Sequence, residues 1–310
     1  MTRRTLAAAR SAPALRATAR GGAALLAVLA AILMLVLSAS AGATVLWKAD
    51  AESALSNAWA AGNAFDVLSG QGTFTTNAAW STTTRVTRVT SPVAQGTMAY
   101  AMTVVSSDHD FYTTNAQRTE VGQGNPSRTM PTGGDRQFRQ GDDVWVAWQL
   151  QVPASYPIPT SWVTFTQFKG AGTGNGPLGI YFDGNKLSLR KSQDQTYGNV
   201  NIASVWSSPT TTVRDQWIKL LLHVKWSTGS DGSYELWGDL KDGLGFRPLK
   251  ALTSGWTLKF DPSNVNPVIV HARIGIYRAA VATTSTVYYD GFNASTTRAD
   301  ATLTAFGESL

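Results

Sequence analysis

Three short segments place long polar side chains at alternate positions. Arg118 and Glu120 stand two apart within 117–121, Gln167 and Lys169 two apart within 162–169, and His271, Arg273 and Tyr277 occupy alternate positions within 268–278. In an extended chain, residues i, i+2 and i+4 share a face, so each segment can present its set to one groove. Arg, Lys and Gln hold and neutralise a carboxylate, while Tyr and His move protons. That combination suits removal of a proton α to a uronate carboxylate, which is far too weakly acidic unless the charge developing on the carboxylate is stabilised. Loss of the 4-linked sugar then completes a β-elimination.

Other chemistries lack their parts. The chain has four Glu, at 52, 120, 235 and 308, with no E-x-D-x-x-E strand, and Asp183, Asp231 and Asp242 stand in turn-like contexts. This disfavours a retaining glycoside hydrolase, which needs two carboxyls across the scissile bond. No G-x-S-x-G elbow occurs. His109, His223 and His271 are far apart without an H-E-x-x-H motif, and there is no Cys to act as thiolate ligand, disulfide or nucleophile. The Gly-rich run 172–176 lacks a following Lys-Ser/Thr and reads as a loop. His223 alternates within an apolar segment and reads as structural.

Positioning these residues requires strands. Segments 84–90, 97–105, 117–121, 144–152, 162–169, 179–182, 186–190, 217–226, 234–237, 268–278 and 286–292 are short, rich in Val, Thr and aromatics, and separated by turn signals. Asp183-Gly184-Asn185 and Asp231-Gly232 read as hairpin turns. No amphipathic helix of more than a few turns is evident, which excludes Rossmann and TIM architectures. The expected class is an all-β sandwich or barrel. Alternation puts Val268, Val270, Ala272, Ile274 and Ile276 on one face, opposite the polar row of His271, Arg273 and Tyr277. In 162–169 it groups Val163 and Phe165 with Gln167 and Lys169.

The chain has 310 residues, 26 Lys+Arg against 20 Asp+Glu, and a net charge of +6. Five of those charges are Arg3, Arg4, Arg10, Arg16 and Arg20; without them the balance is 21 against 20. They precede an uncharged apolar run, 21–39, and the small residues Ser40-Ala41-Gly42-Ala43. That layout predicts a secretory signal over 1–43, cleaved after Ala43, with a membrane anchor as the competing reading. Arg3-Arg4 is only a weak match to a twin-arginine signal. The remainder, 44–310, shows no linker and is expected to be one domain, secreted and monomeric. Its near-neutral charge removes support for nucleic acid or a membrane surface as partner.

Gln117-Arg118-Thr119-Glu120-Val121, Gln167-Phe168-Lys169 and Arg273-Ile274-Gly275-Ile276-Tyr277 occur in the order of the R-[ST]-E, Q-x-H and K-x-G-x-Y strand motifs of jelly-roll polysaccharide lyases. The chain resembles the heparin lyase I and glucuronan lyase group most, and the jelly-roll alginate lyases more distantly. Residues 217–226 with 234–237, and 288–292, are also similar to that group. The resemblance implies a concanavalin A-like β-jelly roll whose concave sheet binds an anionic, uronate-containing polysaccharide. It implies that Tyr277 is the catalytic base and the acid to the leaving oxygen, that Arg118 and Gln167 neutralise the carboxylate, and that Glu120 orients Arg118. Lys169 stands at the His position of Q-x-H, and Arg273 where Lys is common. The His role must then be lost, taken by Tyr277 or supplied by another residue, with His109 of Ser107-Asp108-His109-Asp110 the candidate; a surface-loop His is the alternative. His271 would extend a binding subsite. No cofactor is required. Asp50 or Glu52 near the first strand could meet Asp290 near the last to bind structural Ca²⁺, the alternative being turn or edge carboxylates. Two competing functions remain: a non-catalytic carbohydrate-binding sandwich, kept open by Lys169, and a glycoside hydrolase.

Overall fold

Runs of β-branched and aromatic residues, too short for helices and punctuated by Gly, Asp and Pro, build strands throughout. The computed structural model describes residues 45–52, 66–69 (backbone alone), 85–108, 115–122, 137–170, 174–198, 201–260 and 269–310. The chain divides into two units, Met1–Ala43 and Thr44–Leu310, and every described residue lies in the second.

In chain order the strands are β1 (Val45–Ala49), β2 (Asp66–Ser69), β3 (Val86–Val89), β4 (Ala99–Val104), β5 (Ala116–Gly122), β6 (Phe138–Arg139), β7 (Asp143–Gln151) and β8 (Val163–Lys169). They continue as β9 (Leu178–Asp183), β10 (Lys186–Ser192), β11 (Ile202–Ser207), β12 (Trp217–Lys225), β13 (Ser233–Asp239), β14 (Arg247–Ser254), β15 (Ile269–Ala279) and β16 (Ser285–Ser295). One antiparallel sheet runs β14-β13-β12-β7-β16-β4-β3, with β1 added on β16. The other runs β11-β10-β9-β8-β15-β5-β2, with β6 added on β15. The two form a β-jelly-roll sandwich. Its core lies between the sheets, where Trp148, Leu150, Leu220 and Phe292 of the first meet Val121, Phe165, Phe168, Ile274 and Ile276 of the second. Each such side chain contributes about 1.5–3 kcal/mol by leaving water.

The eleven segments expected to be strands are β3, β4, β5, β7, β8, β9, β10, β12, β13, β15 and β16. Gly184, at φ 59°, makes the turn between β9 and β10. Among the described residues one helix, α1 (Arg298–Phe306), escaped the sequence reading. Its signals are local: the Thr297 hydroxyl caps the N–H of Asp300 at 3.2 Å, and Gly307 closes it at φ 72°. α1 packs Ala301, Ala305 and Phe306 on Ala147 and Leu221, outside the first sheet.

The face expected for β8 needs correction. Val163, Phe165 and Phe168 point into the core, whereas Gln167 is turned to the opposite face, where it bonds Glu120. An irregularity interrupts the register of β8 with β15 between Ile274 and Tyr277, and with β9 between Thr164 and Thr166. Such a bulge shifts the phase of alternation by one residue. The hydroxyl of Tyr289, buried in the first sheet, reaches the carbonyl oxygens of Phe165 at 2.6 Å and Gly275 at 3.0 Å. Buried carbonyls beside a broken ladder need such a donor.

Candidate active site

The outer face of the second sheet collects the predicted residues by register alone. Tyr277 on β15 lies opposite Arg118 on β5 and Thr164 on β8, and Thr164 lies opposite Tyr181 on β9. A second row runs Gly122, Arg273, Gln167, Gly179 and Arg190 across β5, β15, β8, β9 and β10. Between the rows, Glu120 faces Gly275.

Gly275 explains how the next contact is possible. The Nε2 of Gln167 donates to Oε1 of Glu120 at 2.6 Å, although β15 lies between their strands. Two strand spacings are about 9.6 Å, which the two side chains bridge because Gly275 raises nothing between them. A Cβ at Gly275, whose φ is 145°, would also fall 2.0 Å from the carbonyl oxygen of Thr119. Glu120 is fully buried, and its Oε2 faces Nε of Arg118 at 3.4 Å. The Arg118 guanidinium in turn lies 3.8 Å above the centre of the Tyr277 ring. Trp162 packs its edge on that ring at 4.8 Å. Four residues from three strands thus form one continuous unit: a carboxylate fixes an amide and a guanidinium, and the guanidinium covers the phenol. A cation over a phenol ring favours negative charge on its oxygen.

A few residues along the same strands lie His271, Arg273 and Lys169. His271, expected to extend the binding surface, has no exposed surface; its Nε2 accepts from Nε of Arg273 at 2.8 Å. Burial, then the neighbouring Arg273 and Lys169, hold its pKa well below the usual imidazole range, so it is a neutral acceptor that aims Arg273. Lys169 pairs with His271 across the strands, donates to the carbonyl of Gly174 and lies 5.2 Å from the Tyr197 ring. Desolvation, then Arg273, Arg118 and Lys259, hold its amine well below the usual lysine range. The sequence reading missed Tyr181. Its signal was present, because Gly179, Tyr181 and Asp183 alternate with the core residues Ile180 and Phe182. Arg190 covers the Tyr181 ring at 4.8 Å, and burial pushes its phenol up to about 12.

Other candidates fall elsewhere. His109 lies outside the described residues. His223 sits on the first sheet, stacked on Trp145 with ring centres 4.0 Å apart and bonded to Asp143 at 2.6 Å and Glu235 at 2.9 Å. Asp50 pairs with Lys48 at 3.0 Å. Glu52 accepts from the N–H groups of Thr97 and Met98 at 2.6 and 2.8 Å. Asp290 accepts from those of Ala94, Gln95 and Gly291 at 2.8–3.1 Å. Among the described residues no three acidic or His side chains gather as metal ligands. Glu52 and Asp290 pin the loop 94–98 through these bonds, while Asp50 is held by Lys48.

Comparison with known proteins agrees with the fold. No curated protein matches the sequence. Among solved structures, the endo-β-1,4-glucuronan lyase of the fungus Trichoderma reesei is similar at 19% identity and a TM-score of 0.50, over 70% of this chain and 88% of that one. The catalytic domain of the glycoside hydrolase family 131 protein of Coprinopsis cinerea is similar at 12% identity and a TM-score of 0.52, over 81% and 93%. The GH131 β-glucanase catalytic domain of Podospora anserina gives 14% identity and a TM-score of 0.51, over 81% and 95%. At such identities these likenesses concern the fold. The sequence itself matches the family model for polysaccharide lyase over residues 68–293, a span that includes Arg118, Glu120, Gln167 and Tyr277, and on that match this chain belongs to the polysaccharide lyase family.

Proposed function

We propose that this lyase cleaves a uronate-containing polysaccharide by β-elimination, and that the Arg118–Glu120–Gln167–Tyr277 unit carries the reaction. The supporting observation is a buried guanidinium and amide that both meet Glu120, with the guanidinium against the ring of Tyr277. A uronate carboxylate held by Arg118 and Gln167 gains the charge stabilisation that makes its α proton removable. The Tyr277 oxygen takes the C5 proton, the C5–H pair becomes the C4=C5 double bond, and the C4–O bond breaks. Tyr277 then returns the proton to the departing oxygen, which balances the step without a cofactor. Arg273 and Lys169, farther along the strands, receive a carboxylate of a neighbouring sugar.

Residues 1–43 are proposed to direct export and to be removed after Ala43, leaving a monomeric extracellular enzyme; the mass of the protein recovered from culture medium tests this. The reaction is tested by incubating the mature protein with glucuronan, alginate, heparin-type and pectic polymers. Ultraviolet absorbance from an unsaturated uronate is the expected result. New reducing ends without absorbance would indicate a hydrolase, and binding without products a carbohydrate-binding module.

A further inference from the structure

A side chain on the outer face of a sheet moves between rotamers unless its neighbours fix it. Tyr277 has two aromatic or cationic neighbours on that face, and their duties differ. Arg118 lies 3.8 Å from the ring centre, but in the elimination reading the same guanidinium also receives the substrate carboxylate. Trp162 meets the ring with centres 4.8 Å and planes 71° apart, and no such second duty falls to it. Edge-to-face pairs are directional, because the positive edge of one ring faces the negative face of the other.

The indole is itself delivered by a fixed segment. Trp162 immediately precedes β8, and alternation from the core residue Val163 puts it on the outer face with Thr164, the register partner of Tyr277. Its carbonyl accepts from the N–H of Ala279 at 3.3 Å, two residues beyond Tyr277 on β15. Upstream, Tyr156 buries its ring against Phe165 and Phe182, with centres 5.6 and 5.7 Å away. Arg214 donates to the carbonyls of Pro153 and Tyr156 at 3.3 Å, and the N–H of Ala154 donates to Asp215 at 2.9 Å. Pro157 and Pro159 then restrict the backbone between Tyr156 and Trp162. A segment anchored in this way keeps its last side chain in place when Arg118 turns toward a ligand.

We infer that Trp162 is a positioning residue: it holds the Tyr277 ring while Arg118 engages the carboxylate, so that one hydroxyl serves both the C5 proton and the departing oxygen. This rests on the elimination reading and adds to it a residue outside the three strand motifs. The test follows cleavage of glucuronan by ultraviolet absorbance. Misplacing a reacting group by about 1 Å costs on the order of 100-fold, so Trp162→Leu should lower kcat about 10- to 100-fold with KM within about twofold. Trp162→Phe keeps an aromatic ring and should hold kcat within about threefold of native. Calorimetry checks that both are folded, and Trp162→Met replaces the Leu variant if that one is not. In the Tyr277→Phe background no hydroxyl is left to aim, so adding Trp162→Leu should change the residual kcat by less than about twofold. A KM that rises at constant kcat would make Trp162 a substrate contact and overturn the positioning role. Losses that multiply in the double variant would overturn it as well, since a structural defect acts with or without the hydroxyl. Native cleavage that survives Trp162→Leu unchanged overturns this role and leaves the elimination standing; no absorbance from the native protein on any uronate polymer overturns both.

Discussion

Replacing Glu120 by Gln removes the charge on which the clamp is built while keeping the shape of the side chain. Gln167 can still donate to the new amide oxygen. Arg118, however, 7% exposed, loses its buried counter-charge. Breaking a buried ion pair by deleting one partner costs about 3–5 kcal/mol. Here the ion contact is long, at 3.4 Å, and the Tyr277 ring continues to face the guanidinium at 3.8 Å. A cation–π contact retains about 1–2 kcal/mol, so the expected loss is about 2–3 kcal/mol. For a domain of this size that lowers Tm by roughly 5–10 °C. The same loss of aim on the carboxylate should reduce kcat/KM about 100-fold, since each tenfold corresponds to about 1.4 kcal/mol. Scanning calorimetry and initial rates of ultraviolet absorbance measure both. A uronate trisaccharide should raise the Tm of the variant more than that of the native protein, because its carboxylate restores the missing charge. A Tm within about 2 °C of native and a kcat/KM within about threefold would refute the clamp.

The remaining predictions touch its neighbours. Gly275→Ala places a methyl 2.0 Å from the Thr119 carbonyl at a φ that L-residues resist; denaturant unfolding should show a loss of about 3 kcal/mol or more. His271 has a folded pKa below its unfolded value, so below about pH 6.5 the unfolded chain binds more protons and stability falls as pH falls. The slope approaches about 1.4 kcal/mol per pH unit, and His271→Gln should flatten it in unfolding curves between about pH 7.5 and 5. Lys169→Met relieves a desolvated amine and should raise Tm at neutral pH, while raising KM with little change in kcat if Lys169 holds a neighbouring carboxylate. A collapse of kcat at constant KM would make Lys169 the base instead.

Strands buried on one face were legible because their apolar residues alternate. β11 and β14 were not, and both stand at sheet edges, where neither face is well covered and Pro248 is tolerated within β14. The face of β8 was misread because Val-Thr-Phe-Thr-Gln-Phe-Lys looks like unbroken alternation. The Phe165 carbonyl within the irregular stretch is met by Tyr289 from the other sheet, more than a hundred residues away in sequence. Residue types announced a carboxylate site, and period two placed Arg118, Glu120, Arg273 and Tyr277 together. What spacing could not convey was depth: His271 and Arg273 occupy equivalent alternate positions, yet one is wholly buried behind the other. The bridge over Gly275 likewise needs the register of three strands.

The most direct test of the account compares native protein with Tyr277→Phe on glucuronan, monitored by ultraviolet absorbance. Removing a hydroxyl that transfers protons should lower kcat by about 10²–10⁴-fold, with polymer binding and Tm nearly unchanged because Phe preserves the ring beneath Arg118. Full activity of Tyr277→Phe would contradict the assigned role, and no absorbance from the native protein on any uronate polymer would contradict the elimination itself.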